Sequence, residues 1–282
     1  MKGGNMDYSE PGNIAHRASG NPVTIVAIMK KEQLFLQEWL DHHIALGVKN
    51  FILYNNDRSG YRFSTPEDVR VRLIDYSMQK GIGQTVQVQA YNDACKYLKG
   101  GTVAVIDLDE FIFITPDFQR RLDKRLPPIE AAFEFFNTGG LALSWMNIGA
   151  GGNIKRPAGG VVKNYTKPCP KIPIRFGFKS IYRVNQGITW YNAHRTAATP
   201  ALFDTDGKIV TGYETSDLYD KVYIKHYITK SWEDYVEKLK RGNFSKGYRN
   251  IDTFFEYNPD MEHLREQLTA GLNLSEFPTI NE

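Results

Sequence analysis

Val103-Ala104-Val105-Ile106-Asp107-Leu108-Asp109-Glu110-Phe111-Ile112-Phe113-Ile114 sets three carboxylates into an otherwise apolar run. Gly100-Gly101 bounds it on one side and Thr115-Pro116 on the other, and an apolar, β-branched run of that kind predicts a buried strand. Buried strands exclude ionised carboxylates unless a partner compensates the charge. Two readings are open at this point. Asp107 and Asp109 are two positions apart, so on a continuing strand they would share one face and could converge on a hard cation. Alternatively the strand ends at Asp107, and the acids sit solvated in the turn beyond it.

Working outward, residues 23–29 (VTIVAIM) predict a strand, and residues 33–46 then place Leu34, Leu36, Trp39, Leu40, His43 and Ile44 near one helical face. Gly47 ends that helix as a C-terminal cap would. Residues 50–54 predict a second strand, closed by Asn55-Asn56-Asp57-Arg58-Ser59-Gly60, which is turn chemistry throughout. A third short strand is expected over 69–76 and a helix over 85–98, before the carboxylate strand at 102–107. Strand, helix, strand, strand, helix, strand is the order of a doubly wound α/β sheet. Ligands of such sheets bind outside the carboxyl ends of the strands, where Asn55-Asn56-Asp57 and Asp107-Leu108-Asp109 both fall. Two polar clusters of unrelated sequence on one edge favour a binding site over a plain turn.

Downstream, the pattern predicts a helix over 129–137, a strand over 141–148 and a Gly-rich, mobile loop over 149–160. Strands are expected over 179–184 and 221–224. Residues 231–240 read as a helix with a Ser cap and Glu233/Asp234 in its first turn, and a further helix follows Pro259.

A chain of 282 residues with 41% hydrophobic and 24% charged residues has ample material for a core and none of the bias of a disordered protein. Its longest apolar windows are far shorter than a membrane span, and no signal peptide is evident, so a cytoplasmic protein is expected, peripheral to the cytoplasmic membrane face at most. Cys95 and Cys169 are too few for a disulfide framework or a thiolate zinc site. The net charge of +3 conceals a stretch without acids between Glu134 and Asp204, which carries Lys155, Arg156, Lys163, Lys167, Lys171, Arg175, Lys179, Arg183 and Arg195. Such a bias suits a phosphorylated ligand.

The motifs run in a particular order: Lys30-Lys31-Glu32, then Leu36-Gln37-Glu38-Trp39-Leu40-Asp41-His42-His43, Gly47-Val48 and Phe51-Ile52-Leu53-Tyr54-Asn55-Asn56-Asp57. Gln89-Ala90-Tyr91-Asn92, Ile106-Asp107-Leu108-Asp109-Glu110-Phe111, Leu143-Ser144-Trp145-Met146-Asn147-Ile148-Gly149 and Lys225-His226-Tyr227-Ile228-Thr229-Lys230-Ser231 follow. In that order, over residues 23–249, the text resembles the nucleotide-sugar glycosyltransferases of the GT-A fold, in the family 2-like and family 92-like group. The resemblance implies a mixed, mostly parallel, Rossmann-like α/β sheet flanked by helices. A flexible leader would occupy residues 1–22, the GT-A domain 23–250 and a C-terminal helical extension 251–282.

It further implies a metal-dependent, inverting transfer of a hexose from a UDP-sugar to a hydroxyl of a glycan or lipid-linked saccharide, with no nucleic-acid partner. Mn²⁺ or Mg²⁺ would be held by Asp109, by Asp107, which also faces the ribose, and by a downstream His, with His226 preferred over His194; Glu110 would support them. The nucleoside would lie along the backbone of Ala27 and Ile28 and the side chains of Glu32, Asp57 and Asn92. Lys230 and Arg241, with Lys240, Lys246 and Arg249 and with Phe244 and Tyr248 interleaved, would form a segment closing over the diphosphate. The base that deprotonates the acceptor is open among Asp204, Asp206, His194, Glu134, Glu214 and Asp217. Trp145, Trp190 and Tyr191 are candidate sugar platforms. The rival readings are a non-catalytic carbohydrate-binding module, and a nucleotide-sugar hydrolase or nucleotidyltransferase.

Overall fold

The computed structural model describes residues 22–78, 84–98, 100–170, 177–184, 188–197, 201–212, 215, 218–242 and 250–272. The expected leader up to residue 21, and Glu214, Asp217, Phe244, Lys246, Tyr248 and Arg249, lie outside them.

The first half alternates as the sequence predicts, through β1 (Val23–Met29), α1 (Gln33–Ala45), β2 (Asn50–Asn55), β3 (Arg70–Asp75), α2 (Gln84–Cys95) and β4 (Thr102–Val105). Next come β5 (Glu110–Ile114), α3 (Pro116–Arg121), α4 (Pro128–Phe136), β6 (Gly140–Asn147), α5 (Val161–Asn164) and β7 (Phe178–Arg183). The chain closes with β8 (Leu202–Phe203), β9 (Val222–His226), α6 (Trp232–Lys240), α7 (Ile251–Tyr257), a 3-10 turn at Pro259–Leu264, and α8 (Arg265–Thr269). The strands form one mixed, mostly parallel sheet in the order β3-β2-β1-β4-β7-β6-β9-β5, with β8 on the side of β6. β7 is antiparallel to both β4 and β6, and β5 is antiparallel to β9. This is the Rossmann-like α/β class expected from the sequence.

Every residue of β1 is buried, because the sheet is covered on both faces. Ile25, Ala27 and Met29 share one core with Leu36, Trp39 and Leu40 of α1. Val26 and Ile28 point the other way, into a core with Val86, Ala90, Tyr91 and Ala94 of α2. The period-two alternation of an apolar strand thus feeds two helical layers. A third core joins Trp232, Tyr235 and Leu239 of α6 to Phe254 and Phe255 of α7 around Ala150. Asn258 fastens it, accepting from the Ala150 N–H while its amide donates to Phe254 O and Thr229 Oγ1.

The loop expected over 149–160 is irregular, yet its backbone is engaged rather than idle. Asn153 O and Ile154 O accept from the first N–H groups of α6, and Arg156 pairs with Asp234 and Glu237. Ser231 caps α6 as expected, in a reciprocal capping box with Asp234.

The strand order reverses between β1 and β4. The chain leaves β1 toward β2 and β3 on one side, then returns through α2 to place β4 on the other. Pairing of β1 with β4 stops at Val26–Val105, while β1 continues to Met29 against β2. That leaves a crevice at the carboxyl ends of the strands, where this class of sheet binds ligands.

Candidate active site at the switch point

The opening run of sequence is two strands and a turn. β4 ends at Val105, and Glu110 N–H donates to Asp107 O at 3.0 Å, closing a tight turn before β5 departs in a new direction. Trp39 Nε1–H staples this turn by donating to Asp107 O and Glu110 O. Of the two open readings, the continuing strand is not formed: the strand ends before Asp107, and Asp109 is buried there rather than solvated. The turn sends their carboxylates to different partners.

Asp107 Oδ1 accepts from Gln87 Nε2 at 2.7 Å and from Tyr91 Oη at 3.4 Å, and Oδ2 lies 3.1 Å from Lys179 Nζ. Asp109 is 6% exposed. Its Oδ2 accepts from Lys238 Nζ at 2.6 Å, while Oδ1 faces His226 Nε2 at 3.8 Å. Lys238 also donates to Ile228 O, and Asp109 O accepts from Tyr227 N–H, tying the turn to the end of β9.

Glu110 and His226 are register partners across β5 and β9, and His226 is in turn opposite Asn147 of β6. Residues opposite one another project to the same face. Asn147 Oδ1 lies 3.0 Å from His226 Nδ1, which assigns the proton to Nδ1 and leaves the Nε2 lone pair facing Asp109. Asp109, Glu110 and His226 form a buried group that could hold a metal, with ligand atoms within 4.8 Å of one another. Glu110 Oε1 is buried without a hydrogen-bond partner, as a vacant ligand oxygen would be. Carboxylate oxygens suit hard divalent cations, and imidazole suits first-row transition metals. Asp107, expected among the ligands, is not one of these three residues, and Glu110 is.

Burial drives the Glu110 carboxyl well above its usual range, reinforced by Asp107 and Asp109 and opposed by Lys179. Burial alone would lower Lys179, but Asp107 and Glu110 outweigh it and hold its ammonium charged.

Beside this group is a cavity of about 260 Å³ lined by Lys31, Glu32, Phe35, Lys230, Asp234, Glu237, Lys238, Lys240 and Arg241. Two of its residues, Lys31 (φ 53°) and Lys230 (φ 55°), adopt the left-handed region that non-glycine residues avoid. Asp57 supports the first by accepting from Lys31 N–H, and it also accepts from Ser59 N–H and Tyr61 Oη. Burial would raise the Asp57 carboxyl, but these hydrogen bonds outweigh it and leave it lowered. Arg241 bonds Glu32 Oε1 at 2.9 Å and Lys30 O at 2.8 Å. Lys230 is 5% exposed, with its Nζ over the Phe35 ring and one long bond of 3.4 Å to Tyr227 O. Burial lowers its pKa, and Asp109 and Glu32 offset that only in part.

Ala27 and Ile28 lie inside β1 opposite Leu53 and Tyr54, beyond the last residue paired with β4. Asn92 does not open to the crevice: its amide donates to Trp190 O and accepts from Trp190 N–H. Asp204 Oδ1 accepts from the Asp206 and Lys208 N–H groups of its own turn, and Asp206 pairs with Lys221. Glu134 is committed to Arg183 through two 2.9 Å bonds. Those contacts join none of the three carboxylates to the Asp109 group.

His194, by contrast, sits against Trp145, whose ring lies 4.5 Å from that of His226. Burial and Lys179 lower the His194 imidazole to about 4. Burial raises the thiols of Cys95 and Cys169 to about 11 and about 12, which disfavours the thiolate at both.

Sequence reasoning counted Lys179 only within a basic stretch and singled out neither it nor Lys238 nor Gln87 as a site residue. The first two carry a legible signal: a lysine inside the buried run Phe178-Lys179-Ser180-Ile181, and a lysine on the apolar stripe of α6 shared by Tyr235 and Leu239.

No protein family model matches the chain, and no curated protein matches it. Among solved structures, HddC from Yersinia pseudotuberculosis overlaps with 76% of this chain and 96% of its own, at 12% identity and a TM-score of 0.36. A putative glucose-1-phosphate thymidylyltransferase from Bacillus anthracis, in complex with a sucrose, overlaps with 57% of this chain and 71% of its own, at 11% identity and a TM-score of 0.27. Likenesses this weak identify neither a fold nor an activity. No helix among the described residues is long and apolar enough to cross a membrane.

Proposed function

We propose that the chain is a metal-dependent, inverting glycosyltransferase of GT-A type that moves a hexose from a UDP-sugar to a hydroxyl of a glycan or lipid-linked saccharide. The observation that carries this reading is the buried Asp109–Glu110–His226 group at the switch point, beside a cavity rich in lysine and arginine. Carboxylates for a hard cation next to cations for phosphate are what departure of a nucleoside diphosphate requires. The resemblance in sequence order from Lys30 to Ser231 supports the same chemistry.

In this reading Asp109, Glu110 and His226 hold Mn²⁺ or Mg²⁺, with Asp107 toward the ribose. The metal, when bound, neutralises charge developing on the leaving diphosphate. Lys230 and Arg241 serve the same charge from the cavity side, and Glu32, Asp57 and the end of β1 line the nucleoside pocket. His194 is the base. Its Nδ1 lies 2.8 Å from Phe178 O and donates there, so Nε2 retains a lone pair, and the lowered pKa keeps the ring neutral near pH 7. It takes the acceptor's hydroxyl proton as the acceptor oxygen bonds to the anomeric carbon and the carbon–oxygen bond to phosphate breaks, its electron pair leaving with UDP. Trp145 offers a ring face to the sugar.

The test is UDP release from UDP-hexoses with Mn²⁺ and an oligosaccharide acceptor, alongside thermal shift with UDP and Mn²⁺. Acceptor-dependent release, and a thermal shift abolished by Asp109→Ala, are expected. Release indifferent to acceptor would reassign the chain to hydrolysis. Sugar binding without turnover would make it a binding module.

A further inference from the structure

We propose that Lys238 is a built-in competitor of the metal at Asp109, and that a phosphate group entering the adjacent cavity relieves the competition, so that metal and phosphate bind cooperatively. The inference rests on the metal reading of the Asp109 group. It goes beyond that reading by assigning a function to a lysine that the transfer chemistry does not use.

The two oxygens of Asp109 face different groups. Oδ1 faces His226 Nε2 at 3.8 Å, and Oδ2 is held by the Lys238 ammonium at 2.6 Å. Both Lys238 and Asp109 are nearly excluded from water, so their charges are weakly screened. A divalent ion binding through Oδ1 would share a single negative charge with that ammonium and be repelled by it. The metal alone therefore binds weakly.

The cavity supplies the release. Lys238 lines it together with Lys230, Lys31, Lys240 and Arg241. Lys230 lies 5% exposed in a left-handed backbone conformation, over the ring of Phe35 and with one long hydrogen bond to a carbonyl. A buried ammonium in that condition is stabilised by an incoming anion. A phosphate or diphosphate seated on Lys230 draws the Lys238 charge toward itself and weakens its hold on Asp109 Oδ2 in favour of the metal. Coupling through a shared element is reciprocal, so the metal strengthens phosphate binding by the same factor.

Mn²⁺ affinity of the full chain is measured by titration calorimetry and Mn²⁺ electron spin resonance, in chloride alone and with inorganic phosphate or UDP. In the wild type, about ten-fold tighter Mn²⁺ binding is expected with at least one of these anions. Coupling by both marks a bare phosphate site; coupling by UDP alone marks the diphosphate of a nucleotide. Lys238→Met should bind Mn²⁺ more tightly than the wild type in chloride and gain little from either anion. Lys238→Arg, which keeps the competing charge, should behave as the wild type does. Lys230→Met should lose the coupling while keeping the weak affinity in chloride, and it decides the matter if Lys238→Met fails to fold. An anion effect of full size in a folded Lys238→Met or Lys230→Met protein, or none in the wild type, overturns the inference. Failure of the wild type to take up Mn²⁺ in any of these buffers overturns the metal reading as well.

Discussion

Lys179 Nζ reaches from β7 to within 3.1 Å of Asp107 Oδ2 and 3.8 Å of Glu110 Oε2, with a side chain 1% exposed. The sheet therefore carries its own counter-charge for two of the three acids in the turn after β4. Removing one partner of such a pair strands the other in a low dielectric, which costs about 3–5 kcal/mol. Lys179→Met should lose stability of that order in urea denaturation. A loss below about 1 kcal/mol would show that the pair is exposed to water in solution.

Glu110→Gln separates folding from metal binding. The amide preserves an acceptor for Asp107 N–H, now taken by Glu110 Oε2 at 2.9 Å, and it removes the burial cost of an ionisable group. Its melting temperature should match or exceed that of the wild type, while Mn²⁺ affinity falls at least about ten-fold. Unchanged affinity would remove Glu110 from the ligand set.

Asn147→Leu tests the orientation of His226. The substitution removes the Oδ1 that lies 3.0 Å from His226 Nδ1, and a partner of this kind is worth about 10–100-fold in metal affinity. Calorimetric titration with Mn²⁺ reads the loss directly. An affinity equal to that of the wild type would show that the His226 ring does not ligate.

Stability should fall as pH drops below about 6.5, the pKa of histidine in the unfolded chain. Burial lowers His43 far below that value, lowers His42, and with Lys179 lowers His194 to about 4. Above pH 6.5 these rings are neutral in both states and contribute no pH dependence. Below it the unfolded state binds more protons, so each ring removes about 1.4 kcal/mol per pH unit until its folded pKa is reached. Melting curves between pH 7.5 and 5 should show the decline, and His43→Gln should make it shallower. A flat profile would contradict the buried, neutral state of His43, whose Nδ1 donates to Trp39 O and whose Nε2 accepts from Ile112 N–H.

Gly177→Ala should disturb the site from a distance. A Cβ there would lie 2.1 Å from the Trp145 ring, which packs on His226 and His194. The ring must turn away, at a cost of about 1–3 kcal/mol. Tryptophan fluorescence should shift, and transfer activity should fall more than the melting temperature does.

The sheet and the first helices were legible because their signals are local. The apolar alternation of β1, the glycine after α1 and the Ser231 cap with Asp234 each announce an element within a few residues. The turn at Asp107 was one of two open readings, since strands on either side of it are equally apolar, and only the pairing of β5 with β9 shows that two strands are present. The expectation for Asn92 failed for a related reason, because its amide is committed to Trp190, 98 residues away. Asp109 was singled out by its place at a strand end, whereas Lys179 and Lys238 show in the sequence only as lysines in apolar surroundings, and the tertiary fold alone sets them against Asp107 and Asp109.

Asp109 and Lys238 are separated by 129 residues, and the late strand β9 joins β5 to the sheet by pairing with both β6 and β5. Contacts of such long range pay their loop-closure entropy late in folding. A chain emerging from the ribosome would complete β1, β2, β3 and β4 while β5 still lacked its partner strand and Asp109 its cation. Until α6 is out, the nascent protein exposes an open strand edge and an uncompensated acid, which makes this interval the one in which it most needs a chaperone.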